Sequence, residues 1–163
     1  MIPHMDAAYN LARWLAGNHE DAQDVVQDAY LRAFKFFDGF RGGNSRSWLL
    51  RIIRNAFYDS LRHKHHEAAA ATLDNEAERL PDPSASPDAA LLQKADSELV
   101  RQAIEALPLD YREVLVMREL ENCSYKEIAD IAAVPLGTVM SRLPRAREQL
   151  RKHLVEHLQE TQK

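Results

Sequence analysis

ELENCSYKEIADIAAVPLGTVMSRLPRAREQL, spanning Glu119–Leu150, reads as two helices around a sharp turn, the second running on into a basic stretch. Ser124 can cap a helix whose third residue is Glu127, a capping-box pattern. Ile128, Ala129 and Ile131 supply that helix with an apolar face. Ala133-Val134-Pro135 breaks it, and Pro135 suits the entry to a second helix. There Val139, Leu143, Ala146 and Leu150 recur at helical spacing and share one side. Thr138, Ser141, Arg142 and Arg145 lie on the other. An apolar stripe opposite a Thr/Ser/Arg face is what reading a DNA major groove requires. An amphipathic bundle helix with a solvated basic face would show the same pattern, so this motif alone does not decide between them.

The rest of the chain narrows the choice. Its 163 residues suffice for one ordinary domain or two small ones. Hydrophobic residues recur at helical spacing almost throughout, and no segment alternates at period two, so the expected fold class is all-α. No apolar run approaches the roughly 20 residues of a membrane span. The start, MIPHMDAAYN, lacks the basic head and apolar core of a signal peptide. Cys123 is the single cysteine, which excludes an internal disulfide and most zinc frameworks and suits a reducing cytoplasm. The net charge of −4 hides two basic blocks. One carries Arg41, Arg46, Arg51, Arg54, Arg62 and Lys64 against Asp59. The other carries Arg142, Arg145, Arg147, Arg151 and Lys152 against Glu148. Acid is concentrated between His19 and Asp38 and in mid-chain. This arrangement suggests two polyanion-facing surfaces and an acidic surface suited to a basic protein partner.

Residues 67–95, with Pro81, Pro83 and Pro87 among small and acidic residues, read as a linker, helical at most at its edges. They divide the chain into an N-terminal unit, 1–66, and a C-terminal unit, 96–163. The first reads as three helices. Ala8, Leu11, Ala12 and Leu15 stripe the first, which ends near Gly17-Asn18. Ala22, Val25, Val26, Ala29, Ala33 and Phe36 or Phe37 stripe the second. Leu49, Ile52, Ile53, Ala56, Phe57 and Leu61 stripe the third, after the glycine-bearing loop Phe40–Arg46. The third helix's other face carries Arg51, Arg54, Asn55 and Tyr58. Aromatic and amide groups mixed into a basic face favour contacts to bases. The C-terminal unit reads as four helices, the first over about 96–107. Asp110 and Glu113 offer a second capping box for the next.

With both units placed, the chain resembles the extracytoplasmic-function sigma factors of bacterial RNA polymerase, the compact branch of the sigma-70 family that keeps regions 2 and 4. The residues that carry this are Asp24-Val25-Val26-Gln27-Asp28-Ala29-Tyr30-Leu31-Arg32-Ala33, Phe40-Arg41-Gly42 and Trp48–Asn55 in the first unit. In the second they are Leu107-Pro108, Tyr111-Arg112-Glu113-Val114, Ser124–Ala129, Pro135, Gly137-Thr138-Val139, Ser141-Arg142-Leu143 and Arg145-Ala146-Arg147. Two features depart from the pattern. The family has further residues before the first helix, and it places a helix-compatible residue where this chain has Pro144. A proline there is expected to kink the helix near Met140–Leu143 and re-aim Arg145 and Arg147.

The resemblance implies a specificity subunit, not an enzyme, and no cofactor or metal. It implies that Asp24, Gln27, Asp28 and Leu31 meet core RNA polymerase. It assigns Phe40, Arg41, Arg46, Arg51, Arg54, Asn55 and Arg62 to the −10 element of promoter DNA, with Phe40 and Asn55 lining a pocket for an extruded base. Thr138, Ser141, Arg142, Arg145 and Arg147 fall to the −35 element. Control by an anti-sigma factor is a family expectation. His63, His65 and His66 fit no metal site well; a basic helix end on DNA suits them better. Cys123 reads as a semi-buried thiol. The competing classes are a response-type regulator and a sigma antagonist. The first sixty residues match no phosphoacceptor or ligand-binding pattern, and an antagonist would not need two basic blocks.

Overall fold

In the computed structural model, residues 4–37, 40, 42–71 and 91–161 are described. Among them are seven helices: α1 (Met5–Ala16), α2 (His19–Lys35), α3 (Ser45–Ala71), α4 (Leu91–Glu105), α5 (Leu109–Glu119), α6 (Tyr125–Ala132) and α7 (Leu136–Thr161). Among the described residues the expected all-α fold, three helices followed by four, is what forms. Pro81, Pro83 and Pro87 of the expected linker lie outside the described residues. Helix α3 runs past the expected boundary at residue 66, and α4 starts before residue 96.

Helices α1 to α3 pack on one another, and α5 to α7 do the same, with α4 set against α7. The stripes read from the sequence are largely the buried ones: Ala8, Leu11, Ala12 and Leu15 in α1, and Ala22, Val25, Ala29 and Ala33 in α2, with Val26 half-buried. Gly17, at φ 84°, ends α1 in the left-handed conformation that glycine adopts without steric cost. Asn18 then caps α2 by accepting the Asp21 N–H at 2.8 Å. One expectation fails here. Phe36 and Phe37 are 57% and 54% exposed, because α2 ends at Lys35 and its buried stripe does not continue past it.

A second correction concerns α5. Its N-cap is Pro108, with no side-chain cap, so Asp110 and Glu113 form no capping box. The carboxylate of Glu113 instead accepts from Arg54 of α3. Five consecutive residues of α5, Glu113 to Met117, are buried. A helix buried on several sides loses its one-sided pattern. Here α1, α6 and α7 all pack against it, and α3 packs against α6. The buried side chains of the two halves therefore form one continuous cluster, from Ala8 to Ala146.

Candidate nucleic-acid and partner interfaces

The helix-turn-helix forms as read. Ser124 accepts the Glu127 N–H at 3.1 Å and Glu127 Oε1 accepts the Ser124 N–H at 2.9 Å, closing the capping box. That pairing with Ser124 holds the Glu127 carboxyl below its ordinary range. Ala133 ends α6 in the left-handed region at φ 55°, a turn a non-glycine residue adopts only at a cost. Helix α7 continues through Pro144 as one element, with Val139, Leu143 and Ala146 buried on a single face. The proline does not break it. Met140, whose carbonyl loses its helical partner to the proline, is 55% exposed, so water can satisfy that oxygen. On the outer side Ser141 and Arg145 are exposed, while Thr138 and Arg142 are half-buried. The Ser141 hydroxyl donates to the Thr138 carbonyl at 3.0 Å. Arg147 turns back to α5 and pairs with Glu119 at 2.8 Å. Such an exposed pair is worth little and leaves the guanidinium available.

The α3 face is a groove of about 510 Å³ lined by Arg32, Arg54, Asn55, Tyr58, Asp59 and Arg62. It brings together three of the residues assigned to the −10 element, Arg54, Asn55 and Arg62. Arg32 of α2 joins them, a residue the sequence reading did not place there. Asp59 fixes two of the cations: it accepts from Arg32 at 2.7 Å and also pairs with Arg62. The bond from Arg32 holds the Asp59 carboxyl below its usual value. Arg32 also reaches Asp28 at 3.1 Å. The Arg54 guanidinium lies 4.5 Å from the centre of the Tyr58 ring. Phe40 packs on Trp48 with centroids 5.1 Å apart, beside Gly42 and Gly43 at φ 80° and 101°. Arg51 is exposed, and Arg41 lies outside the described residues.

Two of the assigned cations are engaged by the other half. Arg54 donates to Glu113 at 2.8 Å, and Arg46 pairs with Glu121 at 3.2 Å. Glu113 is only 1% exposed, and burial pushes its carboxyl above its ordinary value, against the opposing pull of Arg54. Burial likewise raises the Tyr58 hydroxyl to about 12. Cys123 is fully buried, not half, and burial pushes its thiol up to about 11, so the reactive thiolate is scarce.

Asp24, Gln27, Asp28 and Leu31 share the outer side of α2. Leu31 is 65% exposed and Phe34 beside it 74%, so acid borders an open apolar surface. Phe34 was missed in the sequence, though it follows Leu31 by three residues and so shares its helical face. No helix among the described residues is long and apolar enough to cross a membrane.

Comparison with known proteins agrees with this layout. Residues 3–67 match the family model for sigma-70 region 2, and residues 97–150 match that for sigma-70 region 4. The chain is 34% identical over 158 residues to the ECF RNA polymerase sigma factor SigE of Mycolicibacterium smegmatis, covering 97% of this chain and 61% of that protein. It is 37% identical over 135 residues to the ECF RNA polymerase sigma-E factor of Escherichia coli, covering 78% and 71%. The chain thus spans about three fifths of the first of these relatives. The fold is similar to the sigma factor RpoE from Bartonella quintana, crystallised with the anti-sigma factor NepR (TM-score 0.74, 28% identity, 94% of this chain and 92% of that one). It is also similar to CnrH in complex with the cytosolic domain of CnrY (TM-score 0.67, 27% identity, 95% and 84%).

Proposed function

The chain belongs to the extracytoplasmic-function branch of the sigma-70 family, and we propose that it binds core RNA polymerase and directs transcription initiation at its own set of promoters. Residues 1–66 act as region 2, 67–95 as the linker and 96–163 as region 4. The observation that carries this reading is the pairing, in one chain, of a capped helix-turn-helix with a second basic-aromatic groove on α3. A repressor of duplex DNA needs only the first. A protein that also holds melted DNA needs the second.

Polymerase docks on the outer side of α2. Asp24 and Asp28 steer a basic partner, Gln27 adds polar contact, and Leu31 with Phe34 supplies the apolar contact that holds it. Charge sets the approach and buried apolar area sets the residence time. The −10 element is held on α3. Unstacking a base costs a few kcal/mol, which a shaped pocket offsets by stacking and hydrogen bonding. The Phe40–Trp48 pair offers the stacking surface and Asn55 the amide. Arg41, Arg46, Arg51, Arg54 and Arg62 neutralise phosphates, so binding weakens steeply with salt. The −35 element is read as duplex by the first turns of α7: Thr138, Ser141, Arg142, Arg145 and Arg147. Two modest contacts on one chain reinforce each other through effective concentration.

The similar sigma factor RpoE has been crystallised with an anti-sigma factor, which supports the same kind of control here, in the cytoplasm where polymerase works. No chemistry is catalysed by the chain itself. The test is transcription from fragmented genomic DNA of the source bacterium with purified core polymerase. Adding the chain should create new transcript starts that share a −35 and a −10 sequence. Starts identical to those of core polymerase alone would reject the proposal.

A further inference from the structure

Leu136, Met140 and Pro144 recur at every fourth residue along the start of α7, and all three are exposed. Leu136 is 46% exposed and Met140 55%. A single exposed apolar side chain is ordinary. Here three stand in line, beside a second exposed row one residue further along: Gly137, Ser141 and Arg145. The face of α7 that joins the core is carried by Val139, Leu143 and Ala146, so the apolar row is no part of that core. Gly137 points the same way. A side chain there would meet no protein atom within 4 Å, and its backbone is ordinary helix. Neither packing nor conformation asks for a glycine, which weakens a helix. What it does provide is close approach of the helix backbone to a ligand.

The base edges in the major groove of duplex DNA offer one apolar group, the C5-methyl of thymine; their other features are hydrogen-bond donors and acceptors. We propose that Leu136, Met140 and Pro144 form a methyl-reading row that selects thymines in the −35 element, alongside the groups met by Ser141 and Arg145. The proposal rests on the assignment of the first turns of α7 to that element, and it names the chemistry by which they choose a base. The two rows divide the reading. Ser141 and Arg145 supply hydrogen bonds and charge. The apolar row separates thymine from cytosine, whose amine would lose water against it without gaining a partner. At 1.5 Å per residue the row is about 12 Å long, so it covers at most about three or four base steps of roughly 3.4 Å. Pro144 suits the task because its ring has almost no rotamer freedom to lose on contact.

The test uses holoenzyme, the full chain on core polymerase, and duplex DNA of random sequence. Selection should enrich an upstream element that contains thymines. Deoxyuridine keeps the hydrogen-bonding groups of thymine and lacks its methyl. Replacing those thymines one at a time should weaken binding by the parent about fourfold at each contacted position, the worth of one buried carbon group. Met140→Ala removes an exposed side chain and should keep the fold. It should bind the thymine duplex about fourfold more weakly than the parent, and lose nothing further from deoxyuridine at the position that Met140 meets. Its salt dependence should match the parent's, because no counterion is released, whereas that of Arg145→Ala should be shallower. Indifference of the parent to deoxyuridine would overturn the proposal, and so would a Met140→Ala variant as sensitive as the parent at every position. Weaker assembly of Met140→Ala with core polymerase, with the deoxyuridine effect intact, would give the row to a protein partner instead. An upstream element that depends on Arg145 but on no methyl would remove the row and leave the −35 assignment standing. Selection of no upstream element, or of one unmoved by Arg145→Ala, would reject the −35 assignment of α7, and the row with it.

Discussion

Replacing Phe34 with alanine should sever the chain from polymerase without harming its fold. A phenylalanine side chain that becomes buried covers roughly 200 Å². Phe34 is 74% exposed, so most of that area is open to solvent on α2. If docking covers half of the ring's area, about 100 Å² at 25 cal/mol/Å² gives about 2.5 kcal/mol, close to two powers of ten in Kd. Stability should change by less than about 0.5 kcal/mol, since an exposed side chain is removed. The assay is titration of core polymerase with labelled chain, alongside thermal melts of the free protein. A Kd within twofold of the parent would refute the placement of the polymerase surface on this side of α2. A lowered melting temperature would refute the burial argument instead.

Four further outcomes follow from the geometry. Asn55→Ala should reduce promoter opening on duplex DNA more than binding to a pre-melted template, where the unpairing cost is already removed; equal losses would point to a phosphate contact. Ala133→Gly relieves a left-handed alanine at φ 55° and should raise stability by about 0.5–1 kcal/mol in urea unfolding, the net of removed strain and added chain entropy. Pro144→Ala restores the hydrogen bond to Met140 in a helix that already runs through the site, and should raise the melting temperature, with about 3 kcal/mol as the upper bound. The Glu113 carboxyl is raised by burial above its ordinary 4.5, so the folded state binds its proton more tightly than the unfolded state. Its contribution is full below that value and is lost as the pH rises through the folded value. Urea midpoints of Glu113→Gln relative to the parent should therefore improve as the pH rises from about 4.5; a flat difference would contradict a burial-dominated shift.

Helix spacing, capping residues and glycine positions made most of the fold legible. Ser124 with Glu127, and the stripes of α1 and α7, are local patterns with one physical outcome. Asp110 with Glu113 has the same spacing as a capping box and became something else. Pro108 caps that helix two residues before the box would, and Glu113 meets Arg54, 59 residues away in the chain. No local pattern carries that partner. Phe36 and Phe37 were read inward because they continue a stripe, but the helix ends before them. The α3 groove was half visible. Arg54, Asn55 and Arg62 lie on one helix and can be grouped by spacing. Arg32 comes from α2 and enters only through tertiary packing and its bond to Asp59. Phe34 was legible in principle from its place three residues after Leu31 on the same helical face.

As a sigma factor, this chain should be a subunit of an initiating polymerase. Size-exclusion chromatography of purified core RNA polymerase mixed with the labelled chain, without DNA, tests it most directly. The chain should co-elute with core polymerase at one-to-one stoichiometry, and Asp24→Lys with Phe34→Ala should abolish this. Elution of the parent chain at its free volume, with polymerase active and in excess, would contradict it.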